Sequence, residues 1–183
     1  MSGFKSLSHK IAYCGIICAL SVMVMMVSLI PGFTYALPAV AGLFIWTVSV
    51  FINYKWAFLA FAASALLSVM MIPEPEANTV YIAFFGYYPI IRDKLAVVKP
   101  VILRFLIKLA IFNAACVASF RVLIVLIGID RVLEGMDFMG DLAVYGFWGA
   151  ANFAFICYEL FMSQLNYVMD KWIKPKFFKR ISK

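Results

Sequence analysis

The stretch Asn78-Thr-Val-Tyr-Ile-Ala-Phe-Phe-Gly-Tyr-Tyr-Pro-Ile-Ile-Arg-Asp-Lys94 lies at the centre of this chain. It groups aromatic rings around Gly86 and Pro89 inside an apolar run, and a mixed charge cluster closes it. Hydrophobic segments precede it and longer ones follow it. Because proline disrupts the interior of a helix, the stretch predicts a membrane-spanning helix that kinks or ends near Pro89. We expect this part to act as a packing hinge or a coupling contact.

Composition indicates a polytopic membrane protein. The chain has 183 residues, of which 66% are hydrophobic and 14% are charged, and its mean hydropathy is +0.98. A soluble domain cannot cover so much apolar side chain with so few charges. Several runs approach the roughly 20 apolar residues that cross a bilayer. We therefore expect an all-α fold, with residues 1–183 forming one compact transmembrane bundle.

Six hydrophobic segments predict six membrane spans. Their approximate bounds are residues 11–30, 36–52, 56–72, 78–91, 101–129 and 142–168, and a basic tail follows at residues 170–183. Basic residues collect on one side of this arrangement and acidic residues on the other, which is typical of positive-inside segregation. The pattern predicts a multi-pass protein of the cell membrane with both termini in the cytoplasm.

Two charged residues are predicted deep inside the last two spans. At a rise of 1.5 Å per residue, Lys108 lies about 10 Å into the fifth span and Glu159 about 13 Å from the end of the sixth. Matching depths in antiparallel helices predict a Lys108–Glu159 ion pair, which relieves two costly buried charges. The alternative is a stand-alone carrier or channel, in which Glu159 is a proton or cation site and Lys108 modulates its pKa.

Two interpretations are open for the polar and aromatic residues in the outer halves of the later spans. In the first they line a cavity open to the outside, and Arg121 binds an anionic group of a ligand. In the second, Tyr145 and Trp148 belong to an interfacial aromatic belt and Arg121 snorkels to the membrane interface. The residues concerned are Asn78, Tyr81, Arg121, Tyr145, Trp148 and Asn152.

Other charged patterns have simpler interpretations. Asp130, Glu134, Asp137 and Asp141 recur at helical spacing, and such a carboxylate row can bind Mg²⁺ or Ca²⁺, but a solvated acidic face is favoured. A single histidine and cysteines confined to apolar segments predict no metal site and no disulfide. The tail at 171–183 interleaves basic and aromatic residues. Directly after a span, this pattern favours an anchor on membrane lipids over nucleic-acid binding.

Sequence motifs for catalysis are missing. The chain has no glycine-rich phosphate loop, no His-Glu-x-x-His and no Gly-x-Ser-x-Gly. It therefore cannot hydrolyse ATP by itself. We expect a protein that is not an enzyme and that needs no cofactor.

Small residues form one face of the first span. Ala12, Gly15 and Ala19 follow each other at helical spacing. Small side chains let membrane helices approach closely. This face therefore either packs inside the bundle or docks a separate membrane subunit, and such docking would also suit a non-transporting scaffold.

The chain resembles the substrate-binding S components of bacterial energy-coupling factor (ECF) transporters. The resemblance lies in the length, the six spans with both ends inside, and the basic start into Lys10-Ile-Ala-Tyr-Cys-Gly-Ile-Ile-Cys-Ala-Leu20. The central Phe-Phe-Gly-Tyr-Tyr-Pro-Ile-Ile also resembles small bacterial membrane proteins of that general type.

This resemblance implies the membrane subunit of an importer for a vitamin-like small molecule. A transmembrane coupling (T) subunit would dock on Gly15 and Ala19, which stand where the family has an alanine pair, and two cytosolic ATPases would drive transport. The substrate would lie in an outward pocket roofed by residues 31–37. The implied ligand contacts are Tyr35, Asn78, Tyr81, Arg121, Trp148 and Asn152. The identity of the substrate stays open.

Overall fold

The computed structural model describes residues 6–30, 32–128, 143–173 and 175, and within them every element is helical. The elements are α1 (Leu7–Met26) with a 3₁₀ turn (Val27–Leu29), α2 (Ala36–Phe51), α3 (Tyr54–Met71), α4 (Pro75–Val80), a π-helical turn (Tyr81–Phe85), α5 (Tyr88–Leu95), α6 (Val101–Ile127) and α7 (Ala143–Val168) with a π-helical turn (Met169–Ile173). The expectation of an all-α protein is confirmed for this part of the chain.

Three of these helices are long and apolar enough to cross a membrane. They are α1 with its 3₁₀ turn (Leu7–Leu29), α3 and α6. The second predicted span corresponds to α2, an apolar helix of 16 residues. The sixth corresponds to α7, which has 26 residues but is interrupted by polar ones such as Asn152 and Glu159. Six spans and cytoplasmic termini stay predictions.

The chain divides into two compact units, Met1–Val132 and Leu133–Lys183. In the first unit α1 packs against α2 and α3. Hydrogen bonds join these helices along their length. Cys18 Sγ donates to the Ala60 carbonyl at 3.3 Å, and Ser21 Oγ donates to the Ala41 carbonyl at 3.2 Å. Because each of these polar groups is buried and satisfied, they stabilise a specific register between the helices.

The fourth predicted span is an irregular helical segment. At its centre the Gly86 amide donates to the Tyr81 carbonyl at 2.8 Å, the i→i+5 bond of a π-helical turn. Pro89 lies in the first turn of α5, where the missing N–H costs nothing. The helix is interrupted at residues 81–87, close to Pro89 as expected, but the interruption precedes the proline, which belongs to the helix that follows.

Close contacts at two glycines accompany the π-helical turn. A Cβ atom on Gly42 of α2 would overlap the Phe85 carbonyl oxygen, and one on Gly86 would overlap the ring of Phe61 on α3. On the other side, the Phe84 ring contacts that of Phe112 on α6, with centroids 5.1 Å apart. The central stretch is thus packed between α2, α3 and α6.

Candidate functional site

Tyr81 lies in the core of the first unit. Its side chain is fully buried, in an apolar cluster with Met25, Ala41 and Ile72. Its hydroxyl lies 2.7 Å from Ser64 Oγ on α3. This bond ties the π-helical turn to α3, which is a structural role. A contact between Tyr81 and a ligand stays a prediction.

The direction of the Ser64–Tyr81 bond leads to an asymmetric prediction. Ser64 Oγ also donates to the Phe61 carbonyl at 2.9 Å, so the Tyr81 hydroxyl must donate to Ser64. Ser64→Ala would leave a buried phenol without an acceptor and is expected to cost about 2 kcal/mol. Tyr81→Phe leaves Ser64 still bonded and is expected to cost about 1 kcal/mol. Thermal unfolding of both variants in detergent would measure this order, and the reverse order would contradict the assigned bond direction.

The side-chain amide of Asn78, on α4, is buried, and only one of its two polar atoms has a hydrogen-bond partner among the described residues. Its Nδ2 donates to the Ile72 carbonyl at the end of α3, at 2.8 Å. That contact orients the amide, because a flipped side chain would place two oxygens together. Its Oδ1 is buried and has no hydrogen-bond partner among the described residues. Asn78, predicted as a ligand contact, therefore offers a free acceptor.

Tyr35 joins the loop before α2 to the start of α4. Its hydroxyl donates to Glu76 Oε2 at 3.0 Å. Burial of the phenol, followed by the negative charge of Glu76, raises the pKa of Tyr35 above its usual value. The phenol therefore stays protonated and able to donate across the physiological pH range. Tyr35 and Asn78, both predicted ligand contacts, thus lie at the same end of the first unit.

The remaining predicted ligand contacts lie elsewhere in the chain. Arg121 is exposed on α6. Trp148 and Asn152 belong to the second unit, where Asn152 Nδ2 donates to the Trp148 carbonyl at 2.9 Å within α7. A pocket shared by all six residues stays a prediction.

Both predicted intramembrane charges are buried. Lys108 is 7% exposed and lies on the buried stripe of α6, whereas Glu159 is 8% exposed and lies on the buried stripe of α7. Their ion pair stays a prediction. The acidic row at 130–141 lies outside the described residues, as does most of the basic tail. The described residues contain no group of three or more potential metal ligands.

The charge cluster at the end of the central stretch has partners that the sequence did not indicate. Trp46 Nε1, on a side chain that is 1% exposed, donates to Asp93 Oδ2 at 2.7 Å. The guanidinium of Arg92, itself buried, lies 3.6 Å from Asp93 Oδ1. Lys94 Nζ lies 3.6 Å from the centroid of the Tyr54 ring, a cation–π contact. These contacts attach α5 to α2 and α3.

The face of small residues on α1 points away from the rest of the first unit. Ala12, Gly15 and Ala19 are exposed. A Cβ atom on Gly15 would meet nothing within 4 Å. The buried residues Ile17 and Ser21 lie on the other side of the helix. The other described helices of the first unit therefore leave this face uncovered.

Comparison with known proteins gives no family. No family model, curated protein or solved structure matches the chain. Two features of the first unit bear on function. They are the small-residue face of α1, which the other helices of this unit leave uncovered, and the buried Asn78 with its free acceptor.

Proposed function

We propose that the chain is the substrate-binding membrane subunit of an ECF-type importer for a vitamin-like small molecule. In this proposal it crosses a bacterial cell membrane six times and has both termini in the cytoplasm. A transmembrane coupling subunit docks on α1, and two cytosolic ATPases supply the energy that the chain, lacking a phosphate-binding loop, cannot supply.

The exposed small-residue face of α1 carries this proposal. If Ala12, Gly15 and Ala19 served packing within the first unit, its other helices would cover them, yet all three are exposed. Lipid chains make no demand for small side chains, whereas a partner helix does, because it gains contact by close backbone approach. Ile16 and Met23 flank the face, are 61% and 62% exposed, and can pack against such a helix. A docking role therefore explains the face better than internal packing.

Gly15→Trp is expected to abolish docking without harming the fold. The indole would block the approach of a second helix, whereas inside the chain it would meet open space. We expect the amount of copurified coupling subunit and ATPases, pulled down from native membranes with the tagged chain, to fall roughly tenfold or more.

Leu59→Trp is the matched control for this experiment. Leu59 of α3 is 62% exposed but lies on another helix, so its replacement should leave copurification unchanged. Ala19→Trp should behave like Gly15→Trp. The proposal fails if the wild-type chain brings down no coupling subunit and no ATPases. Capture of a membrane protein without ATPases would favour the non-transporting scaffold.

A second candidate function is a stand-alone carrier or channel. The burial of Glu159 and Lys108 supports it, because charged groups buried in membrane helices commonly mark ion or proton pathways. Glu159→Gln keeps the shape and removes the charge. This function predicts normal insertion of the variant with loss of proton- or cation-driven uptake in reconstituted vesicles. A variant that fails to insert or fold would indicate a structural role for the carboxylate.

A further inference from the structure

Two buried polar atoms in the first unit have no hydrogen-bond partner among the described residues. They are Ser28 Oγ, at the end of α1, and Asn78 Oδ1, on α4. Ser28 is 1% exposed and Asn78 is 8% exposed. Buried polar groups are nearly always satisfied in folded proteins, because leaving one unpaired is costly. Two such atoms at one end of the same unit therefore indicate a bound group that forms hydrogen bonds with them.

The two atoms belong to the same layer of the unit. Ser28 follows Met25 by three residues along α1, and Asn78 precedes Tyr81 by three residues along the antiparallel central stretch. Met25 and Tyr81 meet in one apolar cluster that also contains Ile72, whose carbonyl holds the Asn78 amide. Three residues of helix rise about 4.5 Å. Both atoms therefore lie about one turn beyond this cluster, in the same direction.

A link between two segments lies beside this layer. The hydrogen bond from Tyr35 to Glu76 connects the loop that follows Ser28 with the first turn of α4, two residues before Asn78. This bond is exposed, and it joins the two segments that carry Ser28 and Asn78. Because Ser28 and Asn78 are themselves buried, water has little access to a group that bonds to them, which strengthens those hydrogen bonds.

We propose that Ser28 and Asn78 form a binding site for a neutral small molecule that donates hydrogen bonds, such as an amide or a hydroxyl compound. Asn78 Oδ1 can only accept, so the occupant must carry an N–H or O–H group. Ser28 Oγ can donate or accept. The cluster below is apolar, and a charged group would be costly to bury there. The site rests on the proposed function only in that its occupant would be the imported substrate.

The test uses the purified full chain in detergent and matched probes. Acetamide and benzamide are neutral N–H donors of two sizes, whereas methyl benzoate has the ring of benzamide but only accepts. We expect at least one of the amides, at millimolar concentration, to raise the melting temperature, and methyl benzoate not to do so. Ser28→Ala should weaken the apparent affinity for that amide roughly tenfold, the effect of one lost hydrogen bond.

The control variants separate a loss of ligand binding from a loss of overall stability. Ser28→Ala removes a hydroxyl without a described partner, so the variant should fold as well as the wild type. Ser49→Ala removes a hydroxyl of α2 that donates to the Trp46 carbonyl at 2.8 Å, and it should leave the amide effect unchanged. Asn78→Leu should also abolish the rise in melting temperature caused by the amide. It should lower stability as well, because it removes the hydrogen bond that Asn78 Nδ2 donates to the Ile72 carbonyl.

Two results would overturn the site. One is the absence of stabilisation of the wild type by either amide. The other is equal stabilisation of wild type and Ser28→Ala, which would mean that the layer holds water only. Gly15→Trp separates this site from the docking proposal, because it should lose the coupling subunit but keep the amide effect. Copurified ATPases without any amide effect would reject the ligand site alone.

Discussion

Gly42→Ala is expected to destabilise the chain by about 3 kcal/mol, the upper range for overpacking a core. The added Cβ would overlap the Phe85 carbonyl oxygen, and the position of each atom is fixed by backbone that packs against neighbouring helices. A flexible side chain can move away from a new methyl group, but here α2 or the π-helical turn must shift as a whole. For a chain of this size the loss corresponds to a fall in melting temperature of roughly 6–12 °C.

Gly15→Ala is the matched control for Gly42→Ala. Both glycines lie inside helices, but a Cβ on Gly15 would meet nothing within 4 Å. Alanine has the higher helix propensity, so this variant is expected to gain up to about 1 kcal/mol. Thermal unfolding of the two purified variants isolates the contact from propensity. Equal melting temperatures for Gly42→Ala and wild type would mean that α2 does not approach the Phe85 carbonyl this closely.

Asp93→Leu is expected to cost about 2–3 kcal/mol, because it leaves the buried Trp46 indole without its acceptor and takes a carboxylate away from the buried Arg92 guanidinium. Leucine has the same branched shape and the same number of heavy side-chain atoms as aspartate, so the loss reports mainly on these polar contacts. It should appear as a lower melting temperature and as faster proteolysis near α5.

Asp93→Asn separates the two contributions. Asparagine keeps an oxygen for Trp46 Nε1 but loses the charge beside Arg92, so we expect a loss of about 1–2 kcal/mol. Trp46→Phe removes the donor instead. Because the Asp93 side chain is 37% exposed, water can then satisfy the carboxylate, and the lost bond alone should cost about 1 kcal/mol. Equal stability of Asp93→Leu and Asp93→Asn would show that an oxygen acceptor for Trp46 Nε1 at position 93 contributes nothing to stability.

Properties of single helices, such as length and apolarity, were predicted correctly from the sequence for three of the spans. Three of the predicted spans, 11–30, 56–72 and 101–129, correspond to helices long and apolar enough to cross a membrane. Length and apolarity of a run can be counted along the chain, because a bilayer imposes both without regard to neighbours. The same holds for the small-residue face of α1, which follows from residue type and helical spacing.

The form of the central stretch depends on more than its own sequence. A proline inside an apolar run predicts a break near that position, but it does not predict the π-helical turn at Tyr81–Phe85 that precedes Pro89. The π-helical turn is accompanied by the close approach of Gly42 on α2 and by the ring of Phe61 against Gly86. Neither contact can be read from the stretch itself, since both come from other helices.

The residues of the candidate site also differ in how far the sequence predicts their roles. Asn78 and Tyr81 attract attention as polar residues of an apolar run, but their roles differ in the fold. Tyr81 is satisfied by Ser64, whereas Asn78 keeps a free acceptor. Ser28 attracts no attention in the sequence, because a serine in a membrane helix commonly bonds its own backbone. Only its lack of such a partner within the described residues makes it notable.

By itself the sequence determined an all-helical chain with apolar helices of membrane-crossing length and a small-residue face on the first of them. These properties depend on composition and on spacing within one helix. The tertiary structure alone decided which polar atoms are satisfied, that the other helices of the first unit leave the small-residue face of α1 uncovered, and that the central stretch winds into a π-helical turn. Each of these depends on which side chain another helix brings near, and that information lies in packing between segments distant in sequence.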